Sequence, residues 1–178
     1  LMAKEARVGF SLMTQTQYVN SFVSFSNPEW IWGIEHRDDQ PTYFYSFYAY
    51  LGNFSSTNTR GNPKAISSLL YNNISSSDVR KRLWDPTGRD ATFPLAANGV
   101  RRPYMTRKFT MPNPANSNAD LMFMRAAEMY LREAESVARI GGRDAEARQI
   151  LFDLARSRDN SYTLSANSGA TLINEILF

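Results

Sequence analysis

A chain of 178 residues, 43% hydrophobic and 21% charged, is long enough for one domain with a core of its own. Its net charge of +3 is too small to make nucleic acid the default partner, and the absence of cysteine excludes a disulfide scaffold and thiolate chemistry. No apolar run approaches the ~18 residues that a membrane-spanning helix needs.

All eight prolines lie at or before Pro114, which divides the chain into a loop-rich part (1–114) and a helical part (115–178). Residues 1–25 contain one helix, with Val8, Leu12 and the stretch Gln15 to Val19 on related faces, and Pro28 ends it. Glu29 to Glu35 (EWIWGIE) reads as a short strand. Strict alternation would place Trp30, Trp32 and Ile34 on one face, and that pattern favours burial. Residues 52–77 are rich in Ser, Asn, Thr and Gly and read as loop, with a short helix over Ala65 to Tyr71. Trp84 follows the basic run Arg80-Lys81-Arg82, and its ring is open between packing and exposure. Residues 85–118 carry Pro86, Pro94, Pro103, Pro112 and Pro114, and read as an irregular excursion with a hairpin around Asn98-Gly99.

Beyond the prolines come two helices separated by Gly141-Gly142. In the first, Leu121, Met124, Ala127, Leu131, Ala134 and Ala138 recur at steps of three and four, with Asp120 as the expected cap. In the second, Asp144 is the expected cap and the stripe is Ala147, Ile150, Leu151, Leu154 and Ala155. The short loop predicts antiparallel packing, and small Ala residues at the contact allow close approach. Such a hairpin is the unit of a tetratricopeptide-like repeat, which builds binding surfaces and rarely carries chemistry. Glu128–Arg132 and Glu135–Arg139 are i,i+4 pairs on an exposed face. Leu172, Ile173, Ile176, Leu177 and Phe178 open a further helix.

Ligand chemistry is expected between residues 36 and 54. Tyr43-Phe44-Tyr45-Ser46-Phe47-Tyr48-Ala49-Tyr50 is an aromatic block, and sugar C–H faces stack on such rings while their hydroxyls bond phenol, amide and carboxylate groups. The candidate ligand-binding residues are His36, Asp39, Tyr43, Tyr45, Tyr48 and Asn53. The same block could pack as core, and the expectation is one buried set and one exposed set. Residues 80–108 carry eight basic residues against Asp85 and Asp90. That excess reads either as a solvated face or as a surface for an anionic partner, such as a uronic or sulfated glycan.

Enzyme signatures are missing. His36 is the only histidine, which leaves no His/Cys metal site, and neither a nucleophile elbow nor a glycine-rich phosphate loop occurs. Asp38 and Asp39 are the closest approach to paired carboxylates, but they are adjacent on a loop. The expectation is a protein that is not an enzyme and uses no cofactor or metal.

Several segments resemble one family. "FMRAAEMYLREAES", the glycine turn, "ARQILFDLARSRD" and "LINEILF" look like the C-terminal half of SusD/RagB proteins. "FSLMTQTQYVNSFVSFSNPEWIWGIE" is similar to that family's helix-then-strand segment, and "SSSDVRKRLWD" to its D-x-R-K/R segment. The resemblance covers nearly the whole chain. It implies a mainly α, tetratricopeptide-like α/α superhelical fold with long irregular loops and a short strand or hairpin. It also implies non-catalytic capture of glycans or other nutrients at the cell surface for a SusC-like TonB-dependent transporter, by a lipid-anchored outer-membrane protein. Acidic transporter loops and lipopolysaccharide headgroups then join the candidate partners of the basic stretch. Family members are much longer, begin with a lipoprotein signal and an anchoring cysteine, and often place ligand contacts in N-terminal helices. Residues 1–178 therefore read as a partial SusD/RagB domain. The alternative reading is a tetratricopeptide-like scaffold for peptide or protein.

Overall fold

A computed structural model describes residues 1–20, 22–37, 39, 46–53, 58–59, 61–93, 95, 98–110 and 119–178. The N-terminal segment forms two short helices, α1 (Met2–Ala6) and α2 (Gln15–Asn20), where one was expected. Gly9, with φ +87°, turns the chain between them.

Strand β1 (Trp30–Ile34) forms as expected, but its faces do not alternate. It pairs antiparallel with β4 (Leu121–Arg125), and the register slips between Trp30 and Trp32 and again between Trp32 and Gly33. The irregularities rotate successive side chains out of phase. Trp30 is 3% exposed, whereas Trp32 is 62% exposed, so the expected single buried face is corrected. At the second slip a Cβ on Gly33 would lie 2.6 Å from the carbonyl oxygen of Leu121. Only glycine lets the two backbones approach that closely.

Helix α3 (Phe47–Leu51) starts at Ser46, whose hydroxyl accepts from the Ala49 amide at 2.9 Å. Helix α4 (Ser68–Asn73) starts three residues and ends two residues later than expected. A 3₁₀ helix (Val79–Leu83) is capped by the Asp78 carboxylate, which accepts from the Arg80 amide at 2.8 Å. It runs into β2 (Trp84–Asp85), which pairs antiparallel with β3 (Met105–Thr106). This ladder encloses residues 86–104, and among the described residues no strand adjoins Asn98. Asn98 does take the left-handed conformation, with φ +60°.

The helical part begins later than the sequence indicated. Leu121–Arg125 is strand, and the helix α5 (Ala126–Ile140) starts after it. Asp120 caps no helix. Its carboxylate accepts from the Phe25 amide at 2.6 Å and the His36 amide at 2.7 Å, fastening the two ends of the β1 region. Helix α6 (Asp144–Arg158) follows a turn in which Gly141 (φ +80°) and Gly142 (φ +71°) both take conformations that side chains resist. Asp144 is the first residue of α6, and the cap position falls to Arg143. The Asp144 carboxylate accepts from the Gly169 amide at 3.1 Å, at the start of α7 (Gly169–Leu177).

The largest apolar cluster joins the three helices: Ala134, Val137 and Ala138 of α5, Ala147, Ile150 and Leu151 of α6, Leu172 and Ile176 of α7. Small residues at this seam let α5 and α6 pack closely. Leu131 is 37% exposed and outside it, which corrects its assignment to the core stripe. A second cluster packs Met13, Tyr18, Val19 and Phe22 against Val79 and Leu83 of the 3₁₀ helix.

One buried ion pair ties these clusters together. Glu29, with no exposed surface, accepts from the Met13 amide at 2.7 Å, from Arg125 at 3.3 Å, and from Arg158 in a close pair. Arg158 donates also to the Met13 carbonyl at 3.0 Å, and its guanidinium lies 4.4 Å from the centre of the Tyr18 ring. The chain before β1 is thereby pinned to the last turn of α6.

Candidate functional site

Of the described residues expected to form one site between 36 and 54, Tyr48 and Asn53 are buried, His36 is half-buried and Asp39 is exposed. Tyr48 is 2% exposed, and its phenol donates to the carbonyls of Asp120 and Phe22. Burial first, and then the nearby Asp120 carboxylate, push its pKa well above the usual phenol range. Asn53 is likewise inside. Its amide nitrogen donates to the carbonyls of Lys64 at 2.8 Å and Thr106 at 3.0 Å, and its oxygen accepts from the Lys64 amide at 2.6 Å. Both side chains therefore act as internal ties, which corrects the expectation that they face a ligand. His36 is half-buried, and its Nε2 is buried without a hydrogen bond among the described residues. Asp39 is exposed and paired with Arg37 at 3.1 Å. Tyr43 and Tyr45 lie outside the described residues.

A concave surface lies elsewhere, in the segment noted for its charge. An open cleft of about 470 Å³ is lined by Tyr71, Ser76, Lys81, Arg82, Trp84, Asp90, Phe93 and Arg107. α4 supplies Tyr71, and the 3₁₀ helix supplies Lys81 and Arg82. Trp84 follows on β2, half-buried with part of its ring against the Val79–Leu83 cluster. Phe93 is buried beneath the Arg107 guanidinium, which lies 5.1 Å from the ring centre. Lys81 is held in place: its ammonium donates to the Ile74 carbonyl at 2.8 Å and sits 4.8 Å from the Tyr71 ring centre.

The Asp85 carboxylate shapes this wall. It is 1% exposed and accepts from the amides of Thr87, Gly88 and Asp90 and from the Thr87 hydroxyl, at 2.9 to 3.0 Å. Burial pushes its pKa up, but these hydrogen bonds outweigh that and hold it below the usual carboxylate range. Asp90 at the rim is also lowered, chiefly by the Thr92 hydroxyl and amide. Arg101 fastens the same loop by donating to the carbonyls of Asp90 at 2.8 Å and Phe93 at 3.0 Å. The D-P-T-G sequence at 85–88 is a readable Asx-type turn. Tyr71 and Phe93 carry no such local signal; only tertiary packing brings them beside Trp84.

A smaller groove of about 340 Å³ runs along the start of α5, lined by Met122, Phe123, Arg125, Ala127, Glu128 and Leu131. The exposed rings of Trp32 and Phe123 meet beside it at 5.2 Å between centres. Among the described residues, no group of three or more His, Cys, Asp or Glu could hold a metal, and no helix is long and apolar enough to cross a membrane.

A helical hairpin with a small-residue seam, joined to long loops bearing an aromatic cleft, defines a tetratricopeptide-type helical binding fold. The SusD family model matches residues 4–178, and the chain belongs to that family. Solved structures agree. A SusD-like carbohydrate binding protein from Bacteroides vulgatus superposes with TM-score 0.76 at 26% identity, covering 98% of this chain and 36% of that one. Surface glycan-binding protein A from Bacteroides thetaiotaomicron gives TM-score 0.66 at 17% identity over 98% of this chain and 44% of that one. The same protein in complex with laminarihexaose gives 0.60 at 15% identity, with the same coverage of 98% and 44%. The chain thus spans well under half the length of these relatives. No curated protein sequence matches it.

Proposed function

We propose that this protein captures glycans without chemical turnover at a bacterial outer-membrane surface, and passes them to a SusC-like TonB-dependent transporter. The observation that carries the reading is the cleft between α4 and the β2–β3 ladder. There the half-buried rings of Trp84 and Tyr71 stand beside Ser76, Asp90 and Arg107. Rings stack on sugar faces, and the polar groups around them bond hydroxyls. Family membership and the glycan-binding relatives support the same reading. Asp39, with Tyr43 and Tyr45, is a second proposed contact for the same ligand.

The test is calorimetry against a panel of neutral and acidic oligosaccharides. A glycan is expected to bind, and Trp84→Ala to weaken it by about 1–3 kcal/mol, by analogy with base–aromatic stacking. Unchanged circular dichroism separates that loss from unfolding. Tyr45→Ala reads the second contact in the same assay. Failure of every glycan to bind would favour the rival reading, a peptide scaffold, whose support is the apolar groove at Met122, Phe123 and Leu131. Reduced glycan uptake by cells lacking the protein, restored by re-expression, tests the link to transport.

A further inference from the structure

Charge distinguishes this cleft from a surface suited to neutral sugars. Three cations, Lys81, Arg82 and Arg107, line it against a single carboxylate, Asp90. They are not equivalent. Lys81 is committed to the Ile74 carbonyl and the Tyr71 ring. The Arg107 guanidinium lies 5.1 Å from the Phe93 ring centre and has no hydrogen-bond or ion-pair partner among the described residues, which leaves its N–H groups for a ligand. Arg82 is exposed and has no hydrogen-bond or ion-pair partner among the described residues. Of the other arginines in this segment, Arg80 pairs with Asp78, Arg101 with the Asp90 and Phe93 carbonyls and Arg102 with the Arg101 carbonyl, while Arg89 is exposed but does not line the cleft. The open guanidinium groups at the cleft are therefore those of Arg82 and Arg107. A guanidinium edge matches a carboxylate or sulfate through two parallel hydrogen bonds, which neutral hydroxyls do not offer.

Resting on the glycan reading above, we propose that the cleft selects sugars carrying an anionic substituent, a uronate carboxylate or a ring sulfate. In this arrangement the sugar face stacks on Trp84 while Arg82 and Arg107 pair with the anionic group. Asp90, held ionised, accepts sugar hydroxyls and disfavours ligands that carry charge on both sides.

The experiment is calorimetry of the whole protein with four probes: an oligogalacturonide, its methyl ester, a chondroitin sulfate oligosaccharide and inorganic polyphosphate. The oligogalacturonide or the sulfated sugar is expected to bind at least tenfold more tightly than the methyl ester; which of the two does so assigns carboxylate or sulfate. Arg82→Gln and Arg107→Gln should each lower affinity for the anionic sugar more than for the methyl ester, and so remove most of that preference. Arg82 is exposed, so its variant keeps the fold. Affinity for the methyl ester equal to that for both the acid and the sulfated sugar would overturn the proposal and leave glycan capture standing. Polyphosphate binding as tightly as the sugars would also overturn it, since charge alone would then suffice. No binding of any sugar would overturn the glycan reading itself.

Discussion

Glu29 is a buried charge and Lys108 a half-buried one, with opposite outcomes. The Glu29 carboxylate has Met13, Arg125 and Arg158 as donors, so its burial is matched. Removing one partner of such a pair leaves the other as an uncompensated buried charge. Glu29→Ala should therefore cost about 3–5 kcal/mol in urea unfolding. Lys108 has aromatic neighbours instead, with its ammonium 4.7 Å from the Phe22 ring centre and 5.3 Å from that of Phe109. Burial, aided by repulsion from Arg125, lowers its pKa from 10.5 to about 8. The folded protein then binds fewer protons than the unfolded chain between those values. The Lys108 contribution to stability should rise with pH from about 8, by about 1–3 kcal/mol in all, until the raised Tyr48 phenol turns the trend downward above about pH 10. Lys108→Met should abolish that rise and make the protein more stable below pH 8. Denaturant titrations of both proteins between pH 7 and pH 11 check it.

Among the elements, the α5–α6 hairpin was the most legible, because its period, its glycine turn and its alanines all agree. Its boundary was not. Leu121, Met124 and Ala127 fit a helical step as well as a strand, and only the pairing of Leu121–Arg125 with β1 decides. Asp120 likewise looked like a cap, yet its two amide partners are 95 and 84 residues away. The helix face was misjudged for the same reason. The core-facing set is Ala134, Val137 and Ala138, and Leu131 lies to one side. Leu131→Ala should thus cost about 1 kcal/mol or less, whereas Leu151→Ala, at a buried position, should cost about 2–5 kcal/mol. Thermal melts of the two variants compare them directly. Substituting Gly141 should also destabilise, by about 1 kcal/mol for Gly141→Ala, since its φ of +80° disfavours any Cβ.

At the scale of the molecule, the family and the mainly helical fold could be read from the sequence, while the geometry of a binding surface could not. Tyr48 and Asn53 carry suitable groups, but the fold uses them as internal ties. The cleft draws on residues from 71 to 107, and its chemistry was visible only as an excess of basic residues. The most consequential long-range tie is the Glu29–Arg158 pair, whose members are 129 residues apart. During synthesis, β1 has no partner until Leu121–Arg125 has been made, and the Glu29 carboxylate has no counterion until Arg158 follows. The first half of the chain therefore cannot settle as it emerges. Its native form is deferred until nearly all of α6 exists, after which both halves lock together. Chains stopped at residue 150 should be digested more rapidly by added protease than chains carried past Arg158.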